Sequence, residues 1–478
     1  MYFHSILSVF FFLPIFFLIF YIGKRFFNKK ILFVILFFSF LFYGFDYPFF
    51  LIPLLISSIS DYFISRHLIK IQEKRIRKIF LILSIFINIS LLTYFKYSYF
   101  LISNFNYIFN TNYSNIFTEN IIIPAGISFY TFQTLSFTID CFRKKLKKMP
   151  SFFDYLLYVS YFPQLVAGPI LRPNDFFDSS LKPLLKSSSP RLKSGLTRFA
   201  VGLALKLLAA DELARLNDIA FNSPYTLLSS IDVWTMAFGF GLQIYFDFSA
   251  YSHMAIGISE ILGLKIKENF NFPYLSKSVT EFWRRWHISL SSWVLDYLYK
   301  YFKDRLPSLF LGIFPLLITW SIMGLWHGST WLFIFWGTLN GLLILFHRFY
   351  KIYLEKQIDK YLYINPTILQ VIYITITQLS IMSTWIIFRS ENTKQCFNLI
   401  QKIFNLTNYD LNLSFSPNYY LFVALFFIST TLFGFLNLNE KVKTFLRKDF
   451  VRIILISFSL AISLIFINRQ ITFIYFQF

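Results

Sequence analysis

From Leu306 to His347 the chain carries no Asp, Glu, Lys or Arg. A stretch of that length is enough for roughly two membrane crossings at about 20 residues each. His327 sits near its middle. An ionisable side chain so deep in an apolar segment is costly, and the default reading of such a residue is functional.

The rest of the composition agrees with a membrane solvent. Of 478 residues, 56% are hydrophobic and 22% aromatic, with 66 Phe and only 14% charged, far from the balance of a soluble domain. The expected fold class is an all-α polytopic membrane protein. A formal net charge of +21 would point to nucleic acid in a soluble chain. Here the basic residues fall in short runs beside apolar segments, as the positive-inside rule requires, so no nucleic-acid partner is expected and membrane lipids are. Cys141 and Cys396 lie far apart in sequence and offer neither a disulfide framework nor a metal-ligand cluster.

Charge order sets the topology. The apolar stretch Ser5 to Gly23 is followed, not preceded, by Lys24, Arg25, Lys29 and Lys30, which reads as a retained first span with its N-terminus outside. Counting onward gives about a dozen crossings, including 194–210, 233–258, 367–388, 419–435 and 453–467. The tail Arg469 to Phe478 comes out on the external side. Phe152 to Ile170 is broken by Pro163, Gly168 and Pro169 and has basic flanks; it reads as re-entrant, which requires its non-helical backbone to be buried or to line a wet cavity. Lys265 to Arg305 is richer in charge and reads as interfacial amphipathic helices. Within it Trp283, Trp286, Leu290, Trp293 and Tyr297 recur at helical spacing, predicting one apolar stripe with His287 at its edge and Arg284 and Ser291 beside it. One domain over residues 1–478, built around a central tunnel, is expected.

The six histidines differ in standing. His4, His67 and His347 border charged or terminal segments and read as interfacial, and His253 reads as a packing residue. His287 is ambiguous on physics alone, because aromatic-flanked basic residues anchor helices at headgroup level. His327 is flanked by Gly324 and Gly328, which permit a backbone break and close approach of a ligand. Trp326 and Trp331 are placed to wall an apolar tunnel. An imidazole with a pKa near 6.5 can take a proton from a hydroxyl, an effect typically of about 10² to 10⁴ in rate. The bland alternative is a buried histidine bonded to a carbonyl. Asp140, Asp247 and Asp296, near membrane depth, offer a proton or ion relay and hence a transporter reading, although no repeated half-segments support it. No metal-ligand, serine-hydrolase or phosphate-loop motif is present.

Several long motifs stand in order along the chain: PAGISFYTFQTLSFTID at Pro124 to Asp140, YFPQLVAGPILRP at Tyr161 to Pro173, QIYFDFSAYSHMAIG at Gln243 to Gly257, NFNFPYLSKSVTEFWRRWHISLSSW at Asn269 to Trp293, MGLWHGSTWLFIFWG at Met323 to Gly337, and FIYFQF at Phe473 to Phe478. Together they resemble the membrane-bound O-acyltransferase family, in the bacterial branch of alginate and peptidoglycan O-acetylation and, more distantly, of teichoic acid D-alanyl transfer. The resemblance implies a bacterial cytoplasmic-membrane enzyme with His327 as catalytic base and His287 as the second signature residue. It further implies an acyl thioester donor, acetyl coenzyme A, positioned by Arg284, Arg285, Trp286 and Ser291 and presented from the cytoplasmic side. The acyl group would pass to an extracytoplasmic SGNH-type acetyltransferase and finally to a cell-envelope polysaccharide, with Tyr475 as candidate acyl carrier. D-alanyl transfer to a teichoic acid-like polymer is the alternative within the family; a transporter or a non-enzymatic scaffold is the alternative outside it. The chain departs from the family's usual Gly-Tyr-Ser-Asp at Ala250 to His253, and Lys300 to Asp304 replace its usual Pro-Leu-Gly-Gly loop.

Overall fold

The computed structural model describes residues 1–27, 30–113, 121–146, 148–181, 191–306, 309–355, 365–404, 413–437, 439–467 and 471–474. Regular structure among the described residues is helical throughout. Among the described residues seven helices are long and apolar enough to cross a membrane, and Ile31–Gly44 and Gly312–His327 are two shorter apolar ones. The expected dozen drew also on 194–210 and 233–258. These are helical too, with the ionisable Lys206 and Asp247 buried in them. Side chains such as Phe450 and Ile465 stay 73% and 72% exposed, an apolar surface suited to lipid rather than water. The protein is an integral membrane protein.

The chain forms two compact units. The first holds Met1–Gly202 and Tyr251–Lys267, with helices α1 (Leu13–Phe27), α2 (Ile31–Gly44), α3 (Leu51–Lys70), α4 (Lys74–Leu92), α5 (Ile127–Phe142) and α6 (Phe152–Ser160). Polar side chains, not only apolar ones, join α3, α4 and α5. Asp61 accepts from Ser84 Oγ at 2.6 Å and from Asn88 Nδ2 at 2.8 Å, while Ser57 and Thr134 donate to Asn88 Oδ1. Such bonds bind helices in a medium where apolar burial drives little. The segment expected to be re-entrant leaves helix after Leu165, and every residue from Tyr155 to Leu171 is buried. Its irregular backbone therefore has the protein surroundings that irregular backbone at membrane depth needs.

The second unit holds Leu203–Ala250 and Glu268–Phe478. A long helix, α7 (Ser230–Leu262), gives this unit its residues 230–250. Next come α8 (Val279–Arg285) and α9 (Ile288–Val294), then a hairpin of α10 (Leu309–His327) and α11 (Trp331–Phe349), and α12 (Pro366–Arg389), α13 (Pro417–Leu436) and α14 (Asp449–Phe466). The hairpin is tight because glycines face backbone. A Cβ on Gly324 would sit 2.1 Å from the Phe333 carbonyl oxygen, and one on Gly337 would sit 2.2 Å from that of Trp320. Small residues at a helix interface allow this approach.

Candidate active site

The single helical stripe expected from Trp283 to Tyr297 is interrupted. Helix α8 ends at Arg285, α9 begins at Ile288, and His287 between them adopts φ 43°, ψ 56°. The stripe residues are buried all the same, because a bend re-aims them without exposing them. Left-handed backbone is uncommon for a residue with a side chain, although histidine tolerates it better than most. Such conformers persist only where surroundings over-determine them.

Those surroundings are visible. The Ser278 hydroxyl accepts from the Glu281 amide, and the Glu281 carboxylate accepts from the Lys277 amide at 2.9 Å, an arrangement close to a capping box that fixes where α8 starts. Two backbone bonds then straddle the bend: the Asn271 amide donates to the Arg285 carbonyl at 2.9 Å, and the Ile288 amide donates to the Asn269 carbonyl at 2.8 Å. Asn269 Oδ1 also accepts from the Ser289 hydroxyl. Trp286 fills the inside of the bend, stacked on Phe282 at 5.4 Å and packed on Phe270 and Trp385.

His327 is the last residue of α10, and the break that follows is Gly328–Thr330. The break was expected to begin at Gly324; that glycine instead stays helical and serves the α10–α11 contact. The tunnel walls also differ from expectation. Trp331 is 61% exposed, because it opens α11 on the outer side of the turn, and neither it nor Trp326 borders the cavity. Trp336, one helical stretch further on, takes their place, with its ring 5.2 Å from that of His327.

The two histidines meet at one cavity of about 210 Å³. His287 is 1% exposed and His327 8%. Trp283, Trp286, Trp320 and Trp336 wall the cavity, and Arg284 and Ser291 border it. Arg285 does not: it pairs with Glu281 at 2.7 Å and donates to the Asn271 carbonyl, so it serves the bend. Burial, reinforced by the nearby His327, holds the His287 imidazole well below the usual histidine pKa, so at neutral pH it is uncharged. Helices α8 and α9, with 7 residues each, are too short to span a membrane.

Among the polar bordering residues, Thr280, Tyr299, Thr319 and Arg348 escape the sequence reading. A signal existed for the last, since Arg348 is the first charge after the uncharged run. The S-x-x-E pattern at Ser278 to Glu281 would have announced a helix start at Val279. The carboxylates of the relay reading are taken up locally. Asp140 lies 3.8 Å from Lys145 and Asp296 2.6 Å from Lys300. Asp247 shares Lys206 with Asp211, each at 2.8 Å, and accepts from the Ile474 amide. Phe248, beside Asp247, packs its ring 4.5 Å from His287. His253 is half-buried on α7, His4 stacks on Tyr2, His67 on Phe80, and His347 Nδ1 lies 2.9 Å from the Thr280 hydroxyl. Tyr475 lies outside the described residues. No group of three or more His, Cys, Asp or Glu among the described residues could hold a metal.

Comparison with known proteins bears on the family. The family model of the membrane-bound O-acyltransferases matches residues 79–388. A probable alginate O-acetylase of Pseudomonas aeruginosa is 34% identical over 86% of this chain and 76% of its own length. A peptidoglycan O-acetyltransferase of Helicobacter pylori is 32% identical over 86% of the chain and 81% of its own. A teichoic acid D-alanyltransferase of Bacillus subtilis is 29% identical over 50% of the chain and 62% of its own.

Proposed function

The chain belongs to the membrane-bound O-acyltransferase family, and from that premise we propose that it moves an acetyl group from a thioester donor, acetyl coenzyme A, toward O-acetylation of a cell-envelope polysaccharide outside the bacterial cytoplasmic membrane. That it is an acyltransferase follows from the family and from relatives named for acetyl transfer. The observation that carries the mechanism is the meeting of His287 and His327, from separate helices, at one aromatic-walled cavity.

In this reading His327 accepts the proton of an acceptor hydroxyl as its oxygen attacks the thioester carbonyl. An oxygen–carbon bond forms, the carbon–sulfur bond breaks, and the departing sulfur takes the proton to leave as a thiol. The break after α10 gives the ring of His327 access to the cavity without disturbing the helix that carries it. His287, uncharged and fixed by the bend, orients the donor or its carbonyl oxygen. Trp286 and Ser291 line the donor's path, and excluding water protects the thioester from hydrolysis.

The proposal extends to the acceptor. An extracytoplasmic SGNH-type transferase would receive the acyl group, with Tyr475 as its carrier, and pass it to peptidoglycan or an alginate-like polymer. Longer matches at higher identity favour acetyl over D-alanyl transfer.

Replacing His327 with Ala should lower polysaccharide acetylation by about 10² to 10⁴, the range of a lost general base, while the protein still inserts in the membrane. Acetylation by cells carrying that variant at the wild-type level would sink the reading.

A further inference from the structure

A buried ion cluster in the second unit takes no part in the chemistry above. Lys206 lies 2.8 Å from Asp211 and 2.8 Å from Asp247, and the three are 2%, 4% and 3% exposed. A local device brings the first two together. On an α-helix a residue and the fifth after it point apart, but Lys206 lies in the π turn Leu205–Ala210. There the Asp211 amide bonds back to the Lys206 carbonyl, which turns both side chains to one face. Helix α7 supplies Asp247. One ammonium thus serves two carboxylates, and the excess negative charge is buried. Such a cluster is expensive unless further donors reach it.

The donors come from the C-terminal tail. The Ile474 amide donates to Asp247 Oδ2 at 2.7 Å, and the Ile471 amide faces Asp211. Between them the backbone is non-helical, and Phe473 and Ile474 are each 2% exposed. Phe473 sets its ring 6.0 Å from that of Phe248, which in turn lies 4.5 Å from the His287 ring. Phe248 also meets Phe270 at 5.2 Å, and Phe270 meets Trp286 at 5.2 Å. The tail therefore backs the bend that carries His287.

We infer that Lys206, Asp211 and Asp247 clamp the C-terminal tail by its backbone, and that the clamped tail, through Phe473 and Phe248, fixes the ring of His287. These five are positioning residues, since none borders the cavity. The inference rests on His287 working in the site, as proposed above, and adds the tail to its mounting. Two features argue for it. Apolar contacts alone would pack a terminus, and replacing a buried ion cluster by apolar side chains is often neutral or stabilising. Carboxylates aimed at two amides three residues apart instead fix the register of the segment, and with it the place of Phe473. The second feature is the division of labour at the bend. Loop 269–271 holds its backbone, whereas Phe248 meets the imidazole itself, edge to face at 73°.

The test uses the full chain in nanodiscs and two readouts by mass spectrometry: amide hydrogen exchange in the tail, and the rate at which diethyl pyrocarbonate modifies His287. Ile474→Pro removes the amide that Asp247 accepts from, and Ile474→Val keeps it. In Ile474→Pro the remaining tail amides should exchange about tenfold faster or more, the scale of a lost hydrogen bond to a charged group. His287 should be modified faster by a similar factor, and Ile474→Val should match the wild type in both. Phe473→Ala should speed modification of His287 while the Ile474 amide stays protected, and Phe473→Leu should restore the slow rate. Unchanged exchange in Ile474→Pro would overturn the clamp. Faster exchange with His287 modified at the wild-type rate, in Ile474→Pro or in Phe473→Ala, would overturn the link to His287. Neither readout needs turnover, so failure of the acyltransferase reading is not mistaken for failure of the clamp. That reading fails instead if acetylation survives the loss of His327.

Discussion

His287 and His327 end up at one cavity by opposite means. His287 is placed by its own backbone, in a left-handed conformation between two short helices, and the loop 269–271 holds that bend from both sides. His327 has ordinary helical backbone and is placed by its neighbours: it ends a helix locked to the next one by facing glycines. One site is therefore built from local strain and the other from interhelical packing. Strain of this kind costs about 1–3 kcal/mol and is kept where geometry matters; close helix packing instead tolerates no added atom. The two devices should fail differently.

The largest effect is expected on the packing side. Gly337→Ala places a Cβ against the Trp320 carbonyl oxygen, a backbone atom with no room to yield, so α10 and α11 must separate. Overpacking of this kind costs typically about 1–3 kcal/mol, and His327 would shift with its helix end. Both lower thermal stability in detergent and loss of acetylation are expected. A variant as stable and active as the wild type would show that the hairpin does not set the position of His327.

On the strain side, substitutions at position 287 should separate backbone from imidazole. Asn tolerates a left-handed backbone, whereas a β-branched residue there is a true outlier. His287→Asn should keep the wild-type melting temperature to within a few degrees while acetylation falls. His287→Val should lose both, with about 1–3 kcal/mol of stability gone. Equal melting temperatures for the two variants would mean that the bend is held without regard to its side chain.

The two regions were also unequally legible. The uncharged run announces the α10–α11 hairpin, because hydropathy over that length reads as two adjacent apolar helices. The bend at His287 is hidden, because the spacing of Trp283, Trp286, Leu290 and Trp293 fits a continuous helix. What breaks it is tertiary: the Asn269 and Asn271 backbone and the Trp286 packing, which periodicity does not encode. The capping pattern at Ser278 was the local clue. For the same reason Arg284 and Ser291 border the cavity and Arg285 does not. Its neighbour Glu281, one turn away, claims it as an ion pair, and a one-residue difference in direction is settled by the bend. Arg348 was missed because its partners lie on other helices.

The smallest expected effect concerns charge. The buried His287 resists protonation, whereas the same side chain in the unfolded chain takes a proton near pH 6.5. Below that value the unfolded state binds more protons than the folded one, so the contribution of His287 to stability is lost as the pH is lowered. Above it the two states are alike and the contribution is flat. The slope approaches about 1.4 kcal/mol per pH unit for one proton. Since carboxylates titrate in the same range, the informative quantity is the difference between wild type and His287→Asn, whose backbone fits the bend but which has no proton to gain. From pH 7.5 to 5.5 the wild type should lose more melting temperature than the variant, by a few degrees. Parallel curves would mean that water or a neighbouring acceptor stabilises the imidazolium in the folded protein, and that the uncharged role given to His287 is wrong.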